Sequence, residues 1–154
     1  MRAQGGDLNT LRKSDDRVPA ELHQTTWGSE KSIEFIRQKH DRPWLLNVNI
    51  YDPHPPFIPP RAYADKFDPE DMPGPHFKKS DLKAQAKLAE CDFQDEIRPP
   101  LEHDAKGAQA RYYAMIALID DQFARILAAL DETGQRNNTV IIFCLLYTSP
   151  SPRD

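Results

Sequence analysis

The run Trp44-Leu45-Leu46-Asn47-Val48-Asn49-Ile50 stops abruptly at Tyr51-Asp52-Pro53-His54-Pro55-Pro56-Phe57, and the reading of this stretch decides the fold. Its first seven residues are mostly apolar without strict alternation, the pattern of a strand covered on both faces in a parallel or mixed sheet. Four of the six residues after His54 are proline (Pro55, Pro56, Pro59 and Pro60). Proline fixes φ and removes backbone donors, so the chain here presents side chains instead of extending a ladder. Ligands of open α/β sheets bind outside the carboxyl ends of the strands. His54, held at such an exit, is the candidate functional residue.

Working outward, Thr25 or Thr26 is a suitable N-cap for a helix over residues 26–39, with Trp27, Ile33 and Ile36 on one side and Glu30, Lys31, Glu34 and Arg37 on the other. Asp41-Arg42-Pro43 ends it. Downstream, residues 61–77 read as an irregular loop pinned by Tyr63, Phe67 and Phe77, and residues 78–106 as a charged surface excursion with a short helix near residues 82–88. From Ala108 to Leu130 the residues Tyr112, Met115, Ile116, Ile119, Phe123, Ile126, Leu127 and Leu130 recur every three or four positions, which predicts a long helix buried on that face. Gly134 suits the position just past its end. Thr139-Val140-Ile141-Ile142-Phe143 then reads as a second buried strand. A helix and a strand, twice in the same order, predict an α/β fold: part of a three-layer α/β/α sandwich around a mixed sheet.

Composition narrows the function classes. The 154 residues carry 24 acidic and 20 basic side chains, interspersed, for a net charge of −4. With no basic face to attract a phosphate backbone, no nucleic-acid partner is expected. No apolar run approaches the roughly eighteen residues of a membrane span, and the first thirty residues contain no apolar signal core, so no membrane segment is expected. Any periplasmic or secreted destination would depend on a signal upstream. Cys91 and Cys144 could pair but have no zinc-type spacing, which leaves the redox compartment open.

Residues 144–154, Cys144-Leu145-Leu146-Tyr147-Thr148-Ser149-Pro150-Ser151-Pro152-Arg153-Asp154, end a strand-like run in a Ser/Pro tail. Every residue of this string matches the translation of a transposase-based sequencing adapter. An ordinary disordered terminus would have a similar composition. The domain organisation expected is therefore residues 1–143 as native protein and residues 144–154 as an artefactual tail.

The segment from Pro43 to Phe57, the run Arg111-Tyr112-Tyr113-Ala114-Met115-Ile116-Ala117-Leu118-Ile119-Asp120-Asp121, and the segment from Gly134 to Phe143 together resemble the middle of a sulfatase. The family's order is kept, and residues 18–36 resemble the segment before the strand. The resemblance implies that residues 1–143 are the central portion of an alkaline-phosphatase-like N-terminal catalytic domain. It also implies hydrolysis of a small-molecule or carbohydrate sulfate ester by a formylglycine nucleophile with Ca²⁺ or another divalent cation. Such chemistry is sound, because negative charge growing on the sulfate oxygens is stabilised by a cation and fixed donors. His54, at the Asp-Pro-His position, would bind a sulfate oxygen or protonate the leaving-group oxygen. The family's C-x-P-x-R motif, or its serine form, is absent; Asp15-Asp16 lacks the preceding apolar strand of the early metal pair; and the T-S-D-H-G ligands would begin where Cys144 stands. This polypeptide is accordingly expected to be inactive by itself, with nucleophile and metal ligands outside it.

Other residues carry blander readings. His23, His40, His76 and His103 sit in polar surroundings and read as solvated. Asp120 and Asp121 point about 100° apart on a helix and suit a solvated edge or a loop partner better than a metal. Asp52 pins the turn more readily than it orients His54 across Pro53. Two alternatives to the sulfatase reading remain: a phosphonate or phosphodiester hydrolase of the same superfamily, and a non-catalytic α/β module binding anions or carbohydrate.

Overall fold

A computed structural model describes residues 19–86, 99 and 104–144. Two helices form its frame. Helix α1 spans Gln24–Ile36, and α4, the longest, spans Ala105–Glu132. Between them lie α2 (Arg61–Ala64) and α3 (Lys79–Gln85). The inward face of α1 is Thr25, Thr26, Ser29, Ser32, Ile33 and Ile36, a stripe at helical spacing that is small and hydroxylated at its start and apolar at its end. Ser29 and Ser32 satisfy their hydroxyls within the helix, donating to the carbonyls of Thr25 (3.0 Å) and Gly28 (2.8 Å). Ile33 and Ile36 pack with Ala129 and Leu130 of α4 to form a core, joined by Trp44, Leu46, Ile126 and Leu127.

The buried stripe of α4 is Gly107, Ala110, Ala114, Met115, Leu118, Gln122, Ala129 and Leu130. Only Met115 and Leu130 of the predicted apolar face are in it. Small alanines occupy the contact because they let neighbouring backbone approach, while Tyr112 and Ile116 turn outward, exposed by 36% and 39%. Trp27, expected on the inner side of α1, is likewise exposed, at 62%. Large apolar side chains identified the helix but not its buried face, because two apolar faces overlap on one cylinder.

The C-terminus of α4 closes as the sequence predicts. Gly134 has φ of 69°, the left-handed conformation that costs glycine no Cβ clash. Its amide donates to Asp131 O (3.0 Å), and that of Gln135 to Leu130 O (2.9 Å), the paired bonds of a Schellman motif. Gln135 then clasps the core: its Nε2 donates to Ile36 O (2.9 Å), and its Oε1 accepts from Trp44 Nε1 (3.1 Å).

The expected mixed sheet is not found: among the described residues there is no strand. Residues 44–50 alternate instead, with Trp44, Leu46, Val48 and Ile50 partly buried and Leu45 exposed by 93%. Residues 140–143 are all exposed, Val140 and Ile142 the most, at 87% and 86%. A strand is defined by hydrogen bonds to its neighbour, and apolar pattern specifies an extended chain without supplying that neighbour. Residues 44–50 lie on the helices by one face, residues 139–143 touch α4 through the ring of Phe143, 5.2 Å from that of Phe123, and among the described residues neither makes a ladder. The α/β sandwich expected from sequence is thereby replaced by a helical frame carrying two unpaired segments. Of the predicted loop 61–77, residues 61–64 form α2 and Pro69–Asp71 a 3₁₀ turn. The short helix expected near 82–88 lies earlier, as α3. Cys91, His103 and the proposed tail from residue 145 onward lie outside the described residues.

Candidate functional site

The site is built where the extended segment 44–50 meets the N-terminus of α1. Two peptides in the turn, Asp52–Pro53 and Pro55–Pro56, are cis. Asp52 points inward and is buried, with 6% exposure. Its carboxylate accepts a short hydrogen bond from the Thr25 hydroxyl and another from Gln24 Nε2 (3.2 Å). A negative charge here also faces the positive end of the α1 dipole.

His23 completes this cluster as the N-cap of α1, a position the sequence reading gave to Thr25 or Thr26. Its Nδ1 accepts from the backbone amide of Thr25 (3.3 Å) and lies 3.6 Å from Asp52 Oδ2. A nitrogen whose lone pair is committed to an amide has no proton to share with the carboxylate. The proximity of His23 and Asp52 is therefore packing around a common donor residue, Thr25, and not an ion pair. Far from being solvated, His23 is buried. His40 is also enclosed, with Nε2 2.8 Å from Phe35 O and its ring 4.4 Å from that of Phe35, whereas His76 is exposed, as expected.

His54 sits on the opposite, outer side of the turn and is exposed. Its backbone amide donates to Tyr51 O (3.1 Å), closing the turn. Its Nδ1 lies 2.7 Å from Pro55 O and 2.8 Å from the Tyr51 hydroxyl, which itself donates to Pro55 O (3.0 Å). A carbonyl only accepts, so Nδ1 carries a proton and Nε2 is the open nitrogen. Asp52 does not touch His54, consistent with its predicted anchoring role, although its partners are on α1 and not in the turn.

A cavity of about 280 Å³ opens beside the anchor, lined by His23, Gln24, Tyr51, Asp52, Pro56, Ile58, Pro60 and Met115. His54 is not among its lining residues. The loop that follows is docked on α4: Phe57 meets Tyr112 edge-on (5.6 Å between centroids), and the Tyr63 hydroxyl donates to Asp121 Oδ2 (2.8 Å). Burial, helped by the Asp121 carboxylate, raises the Tyr63 pKa above its ordinary value. Asp121 is thus a loop partner, one of the two roles expected for it. Among the described residues no group of three or more His, Cys, Asp or Glu side chains converges to hold a metal ion. No described helix is long and apolar enough to cross a membrane.

The sequence reading missed Gln24, Thr25 and His23 as the surroundings of Asp52. The available signal was a polar residue, Thr25, at an inward position on the first turn of α1, whose hydroxyl calls for an acceptor there.

Comparison with known proteins agrees with the motif order. The sulfatase family model matches residues 14–144, and the chain belongs to that family. It is 35% identical over 128 residues to an arylsulfatase of Clostridium perfringens, covering 79% of this chain and 26% of that protein. It is 32% identical over 141 residues to the multifunctional alkaline phosphatase superfamily protein PehA of Trinickia caryophylli, covering 82% of this chain and 27% of that protein. A choline-sulfatase of Rhizobium meliloti is 24% identical over 125 residues, 76% of this chain and 24% of that protein. The chain thus spans about a quarter of the length of the curated relatives it matches.

Proposed function

We propose that this chain is the central portion of a sulfuric ester hydrolase and that His54 is its contact to the sulfate group. The observation that carries the reading is an exposed imidazole whose Nδ1 proton is held by Pro55 O, leaving Nε2 directed to whatever binds outside the turn. Protonated at both nitrogens, His54 donates from Nε2 to a sulfate oxygen or passes that proton to the leaving-group oxygen, while Pro55 O stabilises the positive ring. A formylglycine and a divalent cation such as Ca²⁺ belong to the reaction as this reading has it. Because C-x-P-x-R is absent from the sequence, the 154-residue chain alone is expected to leave sulfate esters uncleaved. We further propose residues 1–143 as native and residues 144–154 as adapter translation; codons for that tail recovered from the gene without transposase-based preparation would refute this.

The test is to recover the upstream reading frame and assay the longer protein on an aryl sulfate. A C-x-P-x-R, or its serine form, and turnover that falls about 10²- to 10⁴-fold in His54→Ala support the proposal. An upstream frame without the motif sinks it. Similarity to a protein described as multifunctional within the alkaline phosphatase superfamily favours a second reading, a phosphonate or phosphodiester hydrolase. Much faster cleavage of an aryl phosphodiester than of the aryl sulfate would select it.

A further inference from the structure

We infer that Tyr51 is a positioning residue for His54, setting both the direction of its ring and the nitrogen that carries its proton. The inference rests on the reading of His54 as the sulfate contact and adds to it. Three features of Tyr51 meet on this one histidine. Its carbonyl accepts the His54 amide at 3.1 Å, its ring lies 4.8 Å from the imidazole at an interplanar angle of 46°, and its hydroxyl stands 2.8 Å from Nδ1. The hydroxyl proton is directed to Pro55 O at 3.0 Å, so the phenolic lone pair faces the Nδ1 proton. Nδ1–H is thereby shared between two acceptors, Pro55 O and the Tyr51 oxygen, and the neutral ring is held in the tautomer opposite to the Nε2–H form that an imidazole in water favours. Which nitrogen of a histidine is open to a ligand is decided by the hydrogen bond made by the other.

Tyr51 also lines the cavity beside buried Asp52. Without the hydroxyl, Nδ1 keeps a single acceptor, Pro55 O, and rotation of the ring about χ2 would put Cδ2 in place of Nδ1 and release the Nδ1 proton from that acceptor.

The experiment uses the 154-residue chain labelled with ¹⁵N-histidine, with the His54 resonances assigned by their loss in His54→Gln. Ring-nitrogen shifts should show neutral His54 in the wild type protonated mainly on Nδ1; only the assignment relies on a variant, and the exposed position of His54 makes His54→Gln one that keeps the fold. Tyr51→Phe keeps the ring and should shift the population toward Nε2–H, whereas Tyr113→Phe should not. Inorganic sulfate, added at a pH low enough that the ring is protonated at both nitrogens and Nε2–H can donate, should perturb His54 with an affinity about three- to tenfold weaker in Tyr51→Phe, which removes one of the two acceptors of Nδ1–H. A wild-type His54 protonated mainly on Nε2, or a Tyr51→Phe spectrum unchanged at His54, overturns the inference. If the tautomer behaves as expected but sulfate perturbs His54 in neither protein, the sulfate-contact reading fails and the pairing of Tyr51 with His54 stands.

Discussion

Asp52 and His54 are two residues apart and belong to opposite worlds. Asp52 is buried and bonded to side chains 27 and 28 residues earlier, whereas His54 is exposed and, among the described residues, bonded within residues 51–55. The difference shows how one proline-rich turn both anchors and presents. Long-range bonds fix where the turn lies on α1, and short-range bonds fix which way its histidine faces. Burial makes the first kind expensive to break, and exposure makes the second kind energetically small yet decisive for orientation.

Substitutions should separate the two. Asp52→Ala leaves the Thr25 hydroxyl, the Gln24 amide and the helix N-terminus without their acceptor and should lower the unfolding free energy by about 2–3 kcal/mol in urea titration. A loss below about 0.5 kcal/mol would mean that the anchor is ornamental. Thr25→Val keeps the shape but removes the short hydrogen bond to Asp52, with an expected loss of about 1–2 kcal/mol by the same measurement. His54→Ala should change stability by less than about 0.5 kcal/mol, as an exposed site does; a loss like that of Asp52→Ala would erase the distinction between the two residues.

The smallest effect concerns the far end of the loop, at Tyr63. Its folded-state pKa is raised above the ordinary 10.0, so the folded form holds the phenolic proton more tightly than the unfolded form. The contribution is complete below the ordinary value and is lost as pH rises through the higher folded value. Unfolding measured between neutral and strongly alkaline pH should show this decline, and Tyr63→Phe should flatten it slightly.

Much of the site and the helical frame was legible in the residues themselves. The long helix ending at Gly134, the break at Pro43 and the presentation of His54 all follow from local chemistry: helical periodicity, a left-handed glycine and a cluster of prolines. The family, too, is written in the order of short motifs. What failed was any inference that needed a distant partner. Periodicity puts Tyr112, Ile116 and Phe123 in the core, whereas the buried face of α4 is built mainly on alanines, Met115, Leu118 and Leu130. The polar surroundings of His23 predict a solvated ring, whereas it caps α1.

By itself, then, the sequence determined the lengths and ends of α1 and α4 to within a few residues and the exposure of His54 in its proline-rich turn, because each depends on neighbours a turn or two away. Tertiary structure alone decided that Asp52 faces inward to Thr25 and Gln24 while His54 faces outward, and that residues 44–50 and 139–143 make no ladder among the described residues. Hydrogen bonds across a fold depend on which segments arrive side by side, and a pattern of apolar residues states only that a segment needs cover, not what will cover it.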